Sequence, residues 1–290
     1  LLDLIKYYAN LDAYRSIVTL MLESKKINYC FTDYQIKSPH PVIETEGIAY
    51  PILKNQVVTN NILLGLSNPR NAIITGPNAG GKSTFIKTLC LAVIMSQTLG
   101  IAPASKFRMT PFNLITTYLN IPDSKGKESL FEAEVRRSLE YINIIKKLKP
   151  NQFSFVIMDE IFSSTNPEEG ISGAYAIANA ISKHSNNMTI LTTHYSYLSK
   201  LENTGKFRNY KIPISRDKDG NIKYLYELKP GVSNQFIALE LLNKKGFDSE
   251  IVKEAEYVCS QIQKNTQQGV IRSLPRIKKL KKKSKSQNLQ

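Results

Sequence analysis

The chain opens on a helical pattern. Residues 1 to about 25 place Leu4, Tyr8, Leu11, Val18 and Leu22 on one stripe and Tyr7, Tyr14 and Met21 on another, so burial against more than one partner is expected. From Ile27 to Ser67 short extended pieces are broken by Pro39, Pro41, Gly47 and Pro51, which predicts a small β-rich lobe. Ala72 to Thr75 reads as a buried strand, followed by a glycine-rich loop, Gly76 to Gly81. Ser83 to Leu99 is apolar nearly all round and stops at Gly100, as a helix buried in a layered fold does. Further strand-like pieces run from Ile101 to Pro122, and a polar loop covers Asp123 to Lys127. Phe131, Val135, Leu139, Ile142 and Ile145 then recur at helical spacing.

Phe153 to Glu160 is a continuous apolar run closed by two carboxylates. Without alternation, it predicts a strand covered on both faces, as in a parallel sheet. Asn166, Pro167 and Glu169 supply an N-cap, a first-turn proline and a first-turn acid for a helix reaching about Lys183. Met188 to Thr192 is the next buried strand, ending at Thr193-His194, and Tyr210 to Ile214 and Ile222 to Leu228 flank the hairpin signal Asp219-Gly220. Beyond Gly231 two helices are expected, about Ser233 to Lys245 and Asp248 to Gln263, the second with the stripe Ile251, Ala255, Val258 and Ile262. The whole predicts an α/β fold with a mostly parallel central sheet and an antiparallel β lobe.

Composition adds a partner class. The 290 residues carry a net charge of +15, and the basic excess is concentrated: eight Lys or Arg lie between Arg272 and Lys285, and no acid follows Glu256. A basic, disordered tail after Lys264 suits a polyanion such as DNA, a solvated tail being the plain alternative. Cys30, Cys90 and Cys259 have no metal-ligand spacing, so reduced thiols in an intracellular protein are expected. The longest purely apolar run, Leu89 to Met95, is seven residues, against the roughly 20 that cross a bilayer. No signal peptide is visible and no membrane partner is expected. Leu1 already lies inside a helical pattern, so a longer protein upstream is expected.

Candidate chemistry begins at the loop. Gly76, Gly81, Lys82 and Ser83 fit the phosphate-binding pattern G-x-x-x-x-G-K-[ST]. Glycines let successive backbone N–H groups turn toward phosphate oxygens, at the positive end of the following helix. The expected nucleotide-binding residues are Gly76, Pro77, Asn78, Ala79, Gly80, Gly81, Lys82, Ser83 and Thr84, with Lys82 bridging the outer phosphates and Ser83 holding Mg²⁺. Asp159 is expected as a second Mg²⁺ ligand and Glu160 as a general base that polarises the attacking water. His194, at the carboxyl end of the next strand, could reach the γ-phosphate or the water, whereas His40 and His184 lack such a setting. Ser129 opens a capping box, Ser129-Leu-Phe-Glu132, yet a hydroxyl at a helix N-terminus could also serve a phosphate presented by another subunit.

Together these motifs resemble the ATPase domain of the MutS family of DNA mismatch repair proteins. TGPNAGGKST (Thr75 to Thr84) resembles the family's TGPN-x-GGKST, SLFEAEV (Ser129 to Val135) its S-T-F-x-x-E-M signature, MDEI (Met158 to Ile161) its Walker B, and TTHY (Thr192 to Tyr195) its histidine switch. The resemblance implies a P-loop NTPase fold of the ABC-like type and ATP hydrolysis coupled to DNA binding. It also implies a second MutS-like subunit whose nucleotide Ser129 reaches, and Asn78 on the outer phosphate. By resemblance, residues 1–36 end a lever domain, 37–230 form the ATPase, 231–263 a helix-turn-helix dimerisation element and 264–290 the basic tail. The chain departs from the family at Phe162 to Thr165, where most members have Gly-Arg-Gly-Thr, at Val57, where an aromatic commonly stacks on adenine, and at Ala238, usually glycine. Tyr50 is the substitute considered for adenine. Two alternatives stay open: an ABC or structural-maintenance-like ATPase in recombination, and a catalytically degenerate DNA-binding scaffold.

Overall fold

The computed structural model describes residues 1–23, 27–53, 57–119, 129–218, 221–233, 239–240, 242 and 245–272. The chain divides into two compact units, Leu1–Gln235 and Phe236–Gln290.

The larger unit is built on a six-stranded sheet. Its strands, from one edge to the other, are Lys229–Pro230, Phe207–Lys211, Asn71–Thr75, Asn187–Thr193, Ser154–Asp159 and Leu114–Tyr118. All neighbours run parallel except the edge pair, where Lys229–Pro230 meets Phe207–Lys211 antiparallel. Every residue of Asn71–Thr75 and Asn187–Thr193 is buried, polar members included, so both strands are covered on both faces. Alternate side chains leave by opposite faces. Ala72 and Ile74 pack with Phe85, Ile86 and Leu89, whereas Ile73 packs with Ala174, Ala178 and Leu198. The mixed α/β sheet is the fold class the pattern predicts.

Among the described residues five long α-helices follow in chain order: α1 Leu2–Glu23, α2 Lys82–Leu99, α3 Leu130–Ile145, α4 Pro167–Ser182 and α5 Ser249–Arg272. α2 is capped at both ends by left-handed glycines, Gly81 and Gly100, and α4 by Asn166, whose side chain accepts the Glu168 N–H ahead of Pro167. The β lobe is a four-stranded sheet ordered Asp33–Tyr34, Lys106–Met109, Ile43–Ile48, Asn60–Leu64. Its inner residues Ile43, Ile48, Leu64 and Phe107 join the core under α2.

Several expectations are corrected. Both stripes of α1 stay largely exposed, Tyr8 at 62 % and Leu11 at 45 %. α3 turns a different face inward: Glu134, Ser138, Tyr141 and Ile145 are buried, whereas Val135 and Leu139 are exposed. The polar members of that face have partners, Glu134 with the Phe162 N–H and Tyr141 with Asn187, so their burial is compensated. Tyr210 and Ile214 do not share a strand. Phe207–Lys211 belongs to the central sheet, and the chain breaks at Ile212-Pro213 before Ile214–Arg216 pairs with Ile222–Tyr224. The Asp219-Gly220 turn lies outside the described residues, as do most of the first C-terminal helix and the whole tail beyond Arg272. α5 continues past Gln263 to Arg272, because no proline interrupts the chain before Pro275.

Candidate functional site

The sheet register gathers the candidate residues at one edge. Thr193 pairs with Thr75 and Thr192 with Asp159, so the loop after Thr75, His194 after Thr193 and Glu160 after Asp159 all leave the carboxyl ends of adjacent strands. Open α/β sheets keep their ligand sites there.

The glycine-rich loop curls tightly between strand and helix. Ala79 has φ 60° and Gly81 φ 101°, and the Gly80 N–H closes on the Pro77 carbonyl at 3.1 Å. A Cβ on Gly81 would also lie 2.9 Å from the Tyr226 ring, so conformation and space both require glycine. Gly81 N-caps α2 without a side-chain cap, leaving that helix end for another acceptor. Lys82, 4 % exposed, bonds the Gly76 and Pro77 carbonyls at 2.9 and 3.2 Å, and its Nζ lies 3.4 Å from Glu160 Oε1. Burial lowers the ammonium below its ordinary value, and the Glu160 carboxylate offsets part of that.

Glu160 is the hub. Its Oε1 is 2.7 Å from His194 Nε2. The His194 hydrogen bond, with the neighbouring His194 and Lys82 charges, holds its carboxyl below the usual value against the opposing effect of burial. Its backbone is left-handed, φ 52°, an uncommon conformation for a residue with a side chain. Its N–H donates to the Thr192 carbonyl and hydroxyl, both at 3.1 Å, and the same hydroxyl donates to Asp159 Oδ1. Thr192 therefore fixes both acids at once. Sequence reasoning passed over it as a strand residue.

A cavity of about 540 Å³ opens beside the loop, within the usual range of small-molecule sites. Its wall includes Pro77, Asn78, Ala79, Gly80, Gly81, Lys82, Ser83, Thr84 and Glu160. Gly76 contributes through its carbonyl on Lys82, His194 through Glu160, and Asp159 through Thr192. Ile48, Tyr50, Val58 and Tyr226 also line it. Val58 lines the cavity and Val57 does not, while Tyr50 does, and Tyr226 was not foreseen. The Tyr226 backbone is left-handed at φ 58°, its carbonyl accepts from Asn60 Nδ2, and its ring stacks at 6.0 Å on Tyr224. The signal available was a tyrosine pair, Tyr224 ending a short strand and Tyr226 just beyond it, too generic to single out. Ser129 is not on this wall. It forms the capping box with Glu132, each accepting from the other's backbone N–H.

Comparison with known proteins assigns the family. The model of MutS domain V matches residues 72–263. The chain belongs to the MutS family. DNA mismatch repair protein MutS of Halothermothrix orenii is 32 % identical over 236 residues, 79 % of this chain and 25 % of that protein. The protein of the same name from Finegoldia magna is 31 % identical over 79 % of the chain and 26 % of its own length. DNA mismatch repair protein MSH3 of Saccharomyces cerevisiae is 28 % identical over 91 % of the chain and 26 % of its own length. This MutS-family chain therefore spans about a quarter of the relatives it matches. Among the described residues no helix is long and apolar enough to cross a membrane.

Proposed function

We propose that this chain is the ATP-binding and ATP-hydrolysing part of a MutS-like DNA mismatch repair protein, with a P-loop fold of the ABC-like type. The observation that carries the reading is the Lys82–Glu160–His194 cluster, whose Lys82 and Glu160 line a cavity edged by the glycine-rich loop. The triphosphate lies along Gly76 to Thr84, its negative charge met by backbone N–H groups, the α2 N-terminus and the Lys82 ammonium. Asn78, exposed at the loop tip, meets the outer phosphate. The adenine meets the part of the wall that holds Tyr226 and Tyr50, whose aromatic faces stand in for the family's usual residue.

Glu160, kept as a carboxylate, accepts a proton from the attacking water, and His194 holds the carboxylate on line from its other side. The Glu160–Lys82 contact must loosen as phosphate takes over the ammonium. Ser83 and Asp159 offer the hydroxyl and carboxylate oxygens that suit Mg²⁺, and the Thr192 hydroxyl fixes one Asp159 oxygen as an acceptor. Bound there, Mg²⁺ would neutralise charge on the phosphates.

Ser129 serves a second MutS-like subunit, its hydroxyl meeting that subunit's nucleotide. Its absence from the cavity of its own chain supports this division of labour. In the same reading residues 1–36 end a lever domain, 37–230 are the ATPase, 231–263 a helix-turn-helix that dimerises, and 264–290 a basic segment that meets DNA inside the cell. Replacing Glu160 with Ala tests the site: nucleotide binding persists while turnover falls by about a hundredfold or more. Unchanged turnover would remove Glu160 as the base.

A further inference from the structure

The family signature segment carries a buried acid that the hydrolytic reading leaves without a task. Glu134, one turn beyond Ser129 on α3, is 5 % exposed. Its Oε2 accepts the Phe162 N–H at 3.0 Å. Phe162 itself is 1 % exposed and left-handed, φ 60°. Its carbonyl accepts from the Tyr195 hydroxyl at 3.2 Å, so the backbone of Phe162 is pinned on both sides, by Glu134 and by Tyr195. Its ring meets Phe131 of α3 edge-on, with centroids 5.3 Å apart. α4 closes the remaining side, since a Cβ on Gly170 would lie 2.3 Å from the Phe162 carbonyl oxygen.

The pinned residue and one of its pins lie close in sequence to the reacting pair. Phe162 follows Glu160 by two residues and Tyr195 follows His194 directly, and Glu160 and His194 are themselves in contact. Two left-handed residues, Glu160 and Phe162, flank Ile161. Each persists only where the surroundings over-determine it. Glu134 and Tyr195 supply that determination. Burial and the Glu134 and Glu160 charges raise the Tyr195 hydroxyl, which keeps it a donor.

We propose that Glu134 is a positioning residue: it fixes the Phe162 peptide, and through it the Glu160–His194 pair, and so ties the N-terminal turn of α3 to the hydrolytic centre of the same chain. The inference rests on the reading of Glu160 as the base. α3 then has two ends of one task. Ser129 faces outward at the cap, and Glu134 faces inward one turn later. A shift of the cap when Ser129 meets its target reaches Glu160 through a single buried hydrogen bond.

The test compares Glu134→Leu, which removes the acceptor, with Glu134→Gln, which keeps one, in the full chain. Glu134→Leu is expected to lower kcat for ATP about tenfold or more with KM within about twofold, while Glu134→Gln stays within about threefold of the parent. Hydrogen exchange over residues 159–165, read without nucleotide, accelerates in Glu134→Leu and not in Glu134→Gln. An unchanged kcat in Glu134→Leu, kcat and KM moving together, or retained exchange protection would overturn the proposal. Should Glu134→Leu not fold, Tyr195→Phe decides, because it removes only the second pin. It is expected to speed the same exchange and lower kcat about threefold, and no change in either would overturn the proposal. A parent chain that hydrolyses nothing would defeat the function proposed above, and the exchange measurement would still judge the anchor.

Discussion

At the residue scale the site is a set of charges held by backbone geometry. The sign of the Glu160 contribution to stability follows from its depressed carboxyl. That contribution is fully present above its ordinary value of 4.5 and is lost as pH falls through the lower folded value. The gap in urea midpoint between the parent and Glu160→Gln should narrow as pH drops below 4.5, and a gap that widens there would reverse the assignment. The candidate loop was legible in the sequence because the phosphate-binding pattern fixes a spacing, and Gly81, Lys82 and Ser83 of that pattern line the cavity. Thr192, Glu134 and Tyr226 were not legible. Each acts through a partner far away in sequence, Asp159, Phe162 and Asn60 respectively, and no local pattern records such a pairing.

At the element scale, strands buried on both faces were readable as apolar runs, and α2 and α4 as helices between their caps. Phe207–Lys211 was harder. Arg208, Asn209 and Lys211 make it look like a surface segment, yet Asn209 is buried, its amide bonded to Glu202 and the Ser199 carbonyl. The inward face of α3 was misread for a related reason, since partnered polar groups take core positions that periodicity reserves for apolar ones. Two predictions belong here. Gly170→Ala gains about 0.5–1 kcal/mol of helix propensity. It loses about 1–3 kcal/mol to overpacking against the Phe162 carbonyl, so a net loss in chemical denaturation is expected, and a gain would contradict the packing. Ser129→Ala and Lys82→Ala chains, each inactive alone, should recover roughly a quarter of parental turnover when mixed one to one, because half the dimers then hold one intact composite site. Mixtures as inactive as their parts would count against the shared site.

At the scale of the whole molecule, a layered α/β unit presents one loaded sheet edge, and the second unit continues as α5. Roughly half of the basic excess lies in the C-terminal tail, where eight Lys or Arg fall between Arg272 and Lys285. Removing residues 273–290 should weaken DNA binding chiefly at low salt and flatten its salt dependence, and an unchanged salt slope would return those charges to solvent. Lys82, Glu160 and His194 are proposed to hydrolyse ATP in a site completed by a second chain. Mg²⁺-dependent single-turnover hydrolysis of labelled ATP, followed over rising concentrations of the parent and of Glu160→Ala, tests this most directly. Parental hydrolysis per chain should climb with concentration while Glu160→Ala binds ATP and leaves it intact. Hydrolysis absent at every concentration, or equal in the two proteins, would contradict the account.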